Sequence, residues 1–226
     1  MRLIVLLLSL MLFYVDDAAP GRILQSEYVT THSVETIKAF ADRFYPPEQV
    51  LAPQYAVDEY RVVLSSLYRE DEPIEIVAQL YVPRLESEAR VPVFVLGAGS
   101  TGIDDKCAPS LEQPEVQNWG SYRGFLLSVA THGYITMLPD YAGFNDPDRI
   151  QPYYVAEMAG RVVLDASRAV YDFFSEDAEW AQPDTTAQPA DAVFLSGYSQ
   201  GGQTIFAAKD IWSDYAPDVP LAGVVG

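Results

Sequence analysis

One stretch, VFLSGYSQGGQTIFAA at residues 193–208, constrains the fold more than any other part of the chain. It begins as an apolar run typical of a buried strand, breaks at a serine between glycines, and resumes with a helix-permissive pattern. A strand that turns directly into a helix leaves the residue at the corner in a strained backbone conformation. The pattern therefore predicts a strand-to-helix corner from which the hydroxyl of Ser199 stands clear of the sheet.

The rest of the chain alternates between strand and helix patterns. YRVVLSSLY and IEIVAQLYVP, joined by the acidic turn REDEP, predict an antiparallel hairpin. The later apolar runs VPVFVLGAG, YITMLPDY, AVFLSGYS and LAGVVG are typical of strands in a parallel sheet. Helix patterns separate these runs at about 119–131, at about 153–174 and up to Tyr215. This order predicts an α/β fold with a mostly parallel sheet and an antiparallel N-terminal hairpin.

Composition and charge narrow the class of protein. With 226 residues, 49% of them hydrophobic, the chain is long enough to bury one sizeable core. It carries 32 acidic residues against 14 basic ones, and the basic residues form no cluster that would neutralise phosphates. The balance argues against nucleic-acid partners and is typical of a solvated, acidic surface.

The N-terminus, MRLIVLLLSLMLFYVDDAAP, has the pattern of a secretion signal. One basic residue precedes an apolar run at 3–15, which is too short to span a bilayer comfortably but suits a signal sequence. We assign residues 1–19 to this signal and expect export from the cell. Cleavage after Ala19 would place Asp17 where a small residue is preferred, so an uncleaved N-terminal anchor is the alternative.

Gly197-Tyr198-Ser199-Gln200-Gly201 is a G-x-S-x-G pentapeptide in the strand-to-helix setting that a nucleophile elbow requires. Side chains at Gly197 and Gly201 would collide with the adjoining strand and helix, which explains the two glycines. The start of the helix directs unpaired N–H groups at the place where an oxyanion would form, and we predict that Gln200 donates one of them. The alternative is a serine that only caps the helix.

A second glycine cluster, GAGSTG at residues 97–102, comes directly after a predicted strand. It matches the dinucleotide-binding pattern G-x-G-x-x-G, but that motif must open a helix. The next twelve residues, IDDKCAPSLEQP, contain two prolines and have no helical period. The sequence therefore favours a loop that approaches a substrate carbonyl over a nucleotide site, and an ordinary glycine-rich turn is the remaining alternative.

The segments VPVFVLGAGSTG, YITMLPDYAGF, RVVLDASRAV and VFLSGYSQGG, in that order, resemble the α/β-hydrolase superfamily, and in particular its secretory lipases and esterases. The tetrapeptide CAPS at 107–110 is similar to the loop after the oxyanion segment in fungal-type secretory lipases. The resemblance implies that Ser199 is the nucleophile and that the N–H of Gln200 is the first oxyanion donor. It implies that the second donor is the N–H of Ser100, which comes after the loop glycine Gly99.

The resemblance also implies an α/β-hydrolase fold and an activity. It divides the chain into the signal at 1–19, an N-terminal arm at 20–58 and a partial α/β-hydrolase domain at 59–226. The implied function is that of an exported carboxylic ester hydrolase acting on a small-molecule ester or a lipid through an acyl-enzyme, with no metal or organic cofactor. A peptidase or acyltransferase of the same fold, or a non-catalytic binding protein, is the alternative. Ala98 departs from the family pattern, where relatives carry histidine, which affects the expected loop geometry and not the class.

The family order further implies that an acid and a histidine come after the nucleophile in the chain. Downstream of Ser199 no histidine occurs, and the carboxylates are confined to the elbow helix and the turn after it, at Asp210, Asp214 and Asp218. We therefore expect the natural reading frame to continue with the missing C-terminal strands, an acid and a histidine. We also expect residues 20–226 alone to be poorly soluble and to show no esterase activity.

Four remaining residues are interpreted as structural. Asp140, in LPDYAGF, occupies the place of a family aspartate that supports a loop. His32 lies in the N-terminal arm, and His132 ends a helix, where a turn residue or a C-terminal cation is the ordinary explanation. Cys107 is the single cysteine, so it forms no disulfide within these residues. We expect a small buried or loop residue there, with a reactive thiol as the alternative, and a partner cysteine in the continuing chain.

Overall fold

The fold is described from a computed structural model of the 226-residue chain. The structure describes residues 19–44, 51–113, 121–175 and 185–226, together with the single positions 46, 48, 116, 117 and 119. The secretion signal predicted at 1–19 lies outside the described residues except for Ala19.

The described residues form one seven-stranded sheet. Its strands are β1 (Ile23–His32), β2 (Val57–Leu67), β3 (Pro73–Pro83), β4 (Ala89–Gly97), β5 (Ile135–Pro139), β6 (Ala187–Gly197) and β7 (Leu221–Val225). Across the sheet the order is β1-β2-β3-β5-β4-β6-β7. Pairing is antiparallel from β1 through β2 and β3 to β5, and parallel from β5 through β4 and β6 to β7. The predicted α/β fold, with its parallel core and antiparallel N-terminal hairpin, is confirmed.

Helices cover both faces of the sheet. In the described ranges they are α1 (Val34–Phe44), α2 (Tyr122–Ala130), α3 (Ala156–Phe173) and α4 (Gln200–Tyr215). Val95 of β4 is buried with α3 and α4, whereas the next residue, Leu96, is buried with α1 and α2. Because successive strand side chains point to opposite faces, the two helix pairs lie on opposite sides of the sheet. Among the described residues, no helix has the length and apolarity needed to cross a membrane.

Several elements begin at residues other than those predicted. Residues 23–32, assigned to the N-terminal arm, form β1 and pair with β2 at one edge of the sheet. The helix expected from about residue 153 begins at Ala156, because Tyr153 and Tyr154 lie in a turn where Tyr154 has a φ of 61°. Strand β6 begins at Ala187, before the apolar run AVFLSGYS from which the strand was predicted.

The chain before β1 is tied to the α3 face by polar contacts. The N–H of Gly21 donates to the carbonyl oxygen of Ser65 at 2.8 Å, and the N–H of Ile23 donates to Oδ2 of Asp172 at 2.8 Å. Arg22 pairs with the other oxygen of Asp172, at 3.0 Å. An edge strand needs such support, since it pairs with only one neighbour. These contacts explain why the arm joins the sheet.

Asp165 of α3 is a fully buried carboxylate between the sheet and the two helices. It accepts hydrogen bonds from Ser66 Oγ at 2.7 Å and from Tyr215 Oη at 2.8 Å, and it pairs with Arg168. Burial raises the pKa of Asp165 to about 6, although the hydrogen bonds and the Arg168 cation oppose the rise. The Asp165 carboxyl therefore binds a proton more tightly in the folded state than in the unfolded state.

This raised pKa predicts the sign of a pH effect on stability. Between the ordinary aspartate pKa of 3.8 and about 6, the folded state holds a proton that the unfolded state has lost, so stability falls as pH rises through this interval. The free energy of unfolding of the wild type, relative to Asp165→Asn, should fall by on the order of 2 kcal/mol between pH 4 and pH 7. Urea unfolding at several pH values measures the difference, and parallel pH curves for the two proteins would contradict the prediction.

Candidate active site

The corner at Ser199 joins the end of β6 to the start of α4. Ser199 has φ 56° and ψ −117°, a combination that residues with a side chain rarely adopt and that stores strain. The residue is exposed, and its side chain makes no capping hydrogen bond to α4. The interpretation of Ser199 as a helix cap is therefore wrong. Its hydroxyl lies beyond the carboxyl end of β6 and makes no hydrogen bond to another of the described residues.

Glycines pack directly against one another beneath this corner. Gly97 of β4 and Gly197 of β6 are partners in the parallel register. A Cβ at Gly197 would overlap the carbonyl group of Gly201, and a Cβ at Gly201 would overlap the carbonyl group of Gly97. The first turn of α4 therefore rests on the ends of two neighbouring strands, and only glycine permits this approach.

The loop after β4 emerges beside the corner. Because β4 and β6 are parallel neighbours in register, the chain leaves both strands at the same edge of the sheet. Gly99 lies against the elbow, where a Cβ would come within 3.2 Å of the Tyr198 carbonyl oxygen. Within the described ranges, the hydrogen bonds leave the N–H groups of Ser100 and Gln200 without an acceptor. Two unpaired donors thus lie on neighbouring segments next to Ser199.

Comparisons with known proteins identify the fold. The rice cell wall degrading esterase LipA from Xanthomonas oryzae, in a ligand-bound form, has a TM-score of 0.70 and 21% identity, over 92% of this chain and 50% of that chain. Candida antarctica lipase A in its closed state has a TM-score of 0.64 and 18% identity, over 91% of this chain and 41% of that chain. This chain has the α/β-hydrolase fold. Residues 122–226 of this chain match the family model described as secretory lipase.

A protein of Legionella pneumophila shares the hydrolase fold with a TM-score of 0.72 and 19% identity, over 90% of this chain and 51% of that chain. A comparison with curated proteins found no match. The chain spans about half the length of the first solved structures that it matches. The predicted resemblance to secretory lipases and esterases is confirmed.

Asp140 supports a loop of the hydrolase fold, as the sequence predicts. It is 1% exposed and accepts hydrogen bonds from the N–H and the hydroxyl of Ser110, at 2.7 and 2.6 Å, and from Asn145 at 2.8 Å. Burial raises its pKa to about 6, against the opposing effect of these hydrogen bonds. Asp140 thereby fixes the CAPS segment to the end of β5.

The segment after β4 contradicts the dinucleotide interpretation of GAGSTG. A loop and two short 3₁₀ turns come after the strand, at Asp105–Cys107 and Pro109–Leu111, instead of the helix that a pyrophosphate site needs. Cys107 is half-buried, and its sulfur faces Gly102, which has a φ of 136°. The glycines of the loop after β4 permit a tight turn and a close approach of backbone segments.

Both histidines are hydrogen-bonded in places that explain them structurally. His32 Nε2 lies 2.6 Å from Oε2 of Glu59, which is also paired with Arg123. His132 Nδ1 lies 2.7 Å from the carbonyl oxygen of Ser128, at the end of α2. Neither is brought to Ser199 by a hydrogen bond among the described residues.

Among the carboxylates downstream of Ser199, one has a structural role in the described residues. Asp218 pairs with Arg168 through two oxygens, at 2.9 and 2.6 Å, and the pair lowers the pKa of this carboxyl. Asp210 and Asp214 lie on α4, beside Tyr215. The ion pair gives Asp218 a structural role between α3 and the turn after α4.

Tyrosines near the loop are the site residues that sequence analysis missed. Three of them contact successive loop residues: Tyr141 donates to the carbonyl oxygen of Ala98 at 2.6 Å, Tyr122 lies against Gly99, and Tyr153 Oη lies 2.7 Å from Ser100 Oγ. The one feature of the sequence that could have indicated such a role is the position of Tyr141, directly after the predicted strand YITMLPD. Fifteen tyrosines occur in the chain, so residue type alone does not select these.

An apolar cavity of about 540 Å³ lies on the α2 face of the sheet. Its lining includes Phe94, Phe125, Val129 and Phe194, and all of its lining residues come from outside the corner at Ser199. The cavity is therefore separate from the candidate active site.

The glycine packing predicts a large effect of one methyl group on stability. Gly201→Ala should lower the free energy of unfolding by about 3 kcal/mol, because the new Cβ overlaps backbone that cannot move away easily. Gly202→Ala is the matched control, since its Cβ would meet only the Gly197 carbonyl oxygen at 3.7 Å. Urea unfolding measures both, and equal stability of the two variants would show that α4 does not rest on β4 as described.

Proposed function

We propose that this protein is a carboxylic ester hydrolase whose nucleophile is Ser199. The observation that carries the proposal is the corner itself, where an exposed serine with a strained backbone and an uncapped hydroxyl lies between a parallel strand and a helix N-terminus. The unpaired N–H groups of Gln200 and Ser100 lie on the two neighbouring segments. A nucleophile beside two oxyanion donors is the arrangement that acyl transfer requires.

The proposed reaction has two halves. The Ser199 oxygen bonds to the ester carbonyl carbon, its proton passes through a general base to the leaving alcohol, and the carbon–alkoxy bond breaks. The N–H groups of Gln200 and Ser100 bind the negative charge that develops on the carbonyl oxygen, and the N-terminal end of the α4 dipole adds to this attraction. Water then attacks the acyl-enzyme, releases the carboxylic acid and restores the serine hydroxyl.

The choice of an ester as substrate is supported by the comparisons. The matched family is described as secretory lipase, and the similar structures are a rice cell wall degrading esterase and lipase A. Each of these names refers to ester cleavage. Water-soluble esters and lipids both fit the proposal, since the elbow and the oxyanion loop contact the reacting carbonyl and not the rest of the substrate.

We also propose that residues 1–19 direct export of the protein. The apolar run at 3–15 has the length of a signal sequence, and the matched family is described as secretory. N-terminal sequencing of protein recovered from the culture medium tests this, because export with processing would yield a new N-terminus near Ala19.

A serine-directed fluorophosphonate probe tests the proposed nucleophile on the complete gene product. We expect the wild type to be labelled on Ser199, as located by peptide mass spectrometry, and Ser199→Ala to remain unlabelled. Ser213→Ala, which alters another exposed serine of α4, should be labelled like the wild type. Labelling that survives Ser199→Ala would show that another residue is the nucleophile and overturn the assignment. No labelling of the wild type would overturn the proposal and favour a non-catalytic binding protein.

A further inference from the structure

The hydroxyl of Tyr141 joins the two backbone segments that carry the proposed oxyanion donors. Tyr141 is 3% exposed and donates to the carbonyl oxygen of Ala98 at 2.6 Å. The hydroxyl of Thr204, on α4, lies 3.2 Å from Tyr141 Oη and 3.1 Å from the carbonyl oxygen of Gln200. A buried chain of polar groups therefore runs from the loop after β4 to the first turn of the elbow helix.

Two further tyrosines hold the next two residues of the same loop. Tyr122 Oη lies against Gly99, where a Cβ on that residue would come within 2.7 Å of it. Tyr153 Oη lies 2.7 Å from Ser100 Oγ. Ala98, Gly99 and Ser100 are thus each in contact with a different tyrosine hydroxyl.

The loop needs such external contacts because of its own composition. Gly97, Ala98 and Gly99 precede the donor, and glycines leave a backbone free to adopt many conformations. An oxyanion hole works only when its donors are oriented before the charge develops, since reorientation during the reaction consumes the stabilisation. The hydrogen bond from the buried ring of Tyr141 restricts the loop from outside.

We infer that Tyr141 is a positioning residue of the proposed acyl-transfer site. Its hydroxyl sets the relative position of the Ala98–Ser100 segment and the Gln200 segment, so that both N–H groups meet the same oxyanion. This inference rests on the proposed function for its effect on catalysis. The packing of the two segments can be measured without any activity.

Tyr141→Phe removes the hydroxyl oxygen and keeps the buried ring. In the complete gene product we expect kcat for a p-nitrophenyl ester to fall about tenfold while KM stays within about twofold, because the lost contact acts on the transition state. Tyr171→Phe is the matched control, since it removes a tyrosine hydroxyl that donates to a backbone carbonyl, that of Ala190, at 2.8 Å. We expect Tyr171→Phe to keep the wild-type kcat. Its loss of thermal stability should be no greater than that of Tyr141→Phe.

Thr204→Val tests the connection to α4 with a side chain of the same shape. We expect a kcat about threefold below that of the wild type, and a Tyr141→Phe, Thr204→Val double variant no slower than Tyr141→Phe alone, since both changes interrupt one chain of contacts. Fully additive losses in the double variant, or a kcat for Tyr141→Phe equal to that of Tyr171→Phe, would overturn the inference.

Amide hydrogen exchange separates this inference from the proposed function. Peptides covering 97–101 and 199–203 should exchange faster in Tyr141→Phe than in the wild type and in Tyr171→Phe. Unchanged exchange in both peptides would overturn the positioning role whatever the activity. Turnover by the wild type no greater than that of Ser199→Ala, combined with faster exchange in Tyr141→Phe, would overturn the proposed function and leave the structural link in place.

Discussion

Replacing Ser199 with alanine should remove essentially all turnover of a p-nitrophenyl ester by the complete gene product. The substitution deletes the oxygen that forms the acyl-enzyme, and the backbone donors that remain provide only a slight rate enhancement. The fold should be unaffected, because alanine keeps the Cβ that the strained backbone already accommodates and Ser199 Oγ makes no hydrogen bond within the described structure. Initial rates and thermal unfolding, measured on the same preparations, check both parts.

Ser213→Ala is the control for that experiment, because it removes an exposed hydroxyl from the same helix. Its turnover and its melting temperature should match those of the wild type. Activity of Ser199→Ala within a few-fold of the wild type would show that the corner serine is not the nucleophile. A lower melting temperature of Ser199→Ala would instead indicate that its loss of activity came from the fold.

Ser100→Pro should lower kcat by about a hundredfold or more, because proline has no N–H and deletes the proposed second oxyanion donor. Ser100→Ala keeps that N–H and loses only an exposed hydrogen bond to Tyr153 Oη. We therefore expect Ser100→Ala to remain within a few-fold of the wild type in kcat. Steady-state kinetics of the two variants isolate the contribution of one backbone hydrogen.

Stability data must accompany this comparison, since proline also restricts the conformation of Gly99. Equal thermal stability of Ser100→Pro and Ser100→Ala, with a large difference in kcat, would support the donor role. Equally mild effects of the two substitutions on kcat would place the second donor elsewhere in the structure.

The corner and the alternation of strands with helices were predictable because both depend on local patterns. Gly197 and Gly201 indicate a close approach of backbone segments, and an apolar run before them indicates a buried strand. The antiparallel hairpin and the parallel strands were predicted from periodicity and from the alternation of strands with helices. Asp140 was also interpreted correctly, because its place directly after a predicted strand matches a family aspartate that supports a loop.

Other features could not be predicted, because their partners are far away in the sequence. β1 is supported by a hydrogen bond between Ile23 and Asp172, which are 149 residues apart, and no pattern within 20–58 encodes that contact. The buried carboxylate of Asp165 meets Ser66 from one strand and Tyr215 from another helix.

The sequence by itself thus determined the chemistry at the corner: a serine that the glycines around it force into a strained turn at the start of a helix. Only the tertiary structure decided which groups surround that serine. The register of Gly97 beside Gly197 brings the second loop to Ser199, and the hydroxyl of Tyr141 connects that loop to α4. The strained backbone at Ser199 depends on residues that are neighbours in the chain, so the sequence predicts it. The orientation of a proposed oxyanion donor depends on hydrogen bonds between segments that meet only when the sheet has formed.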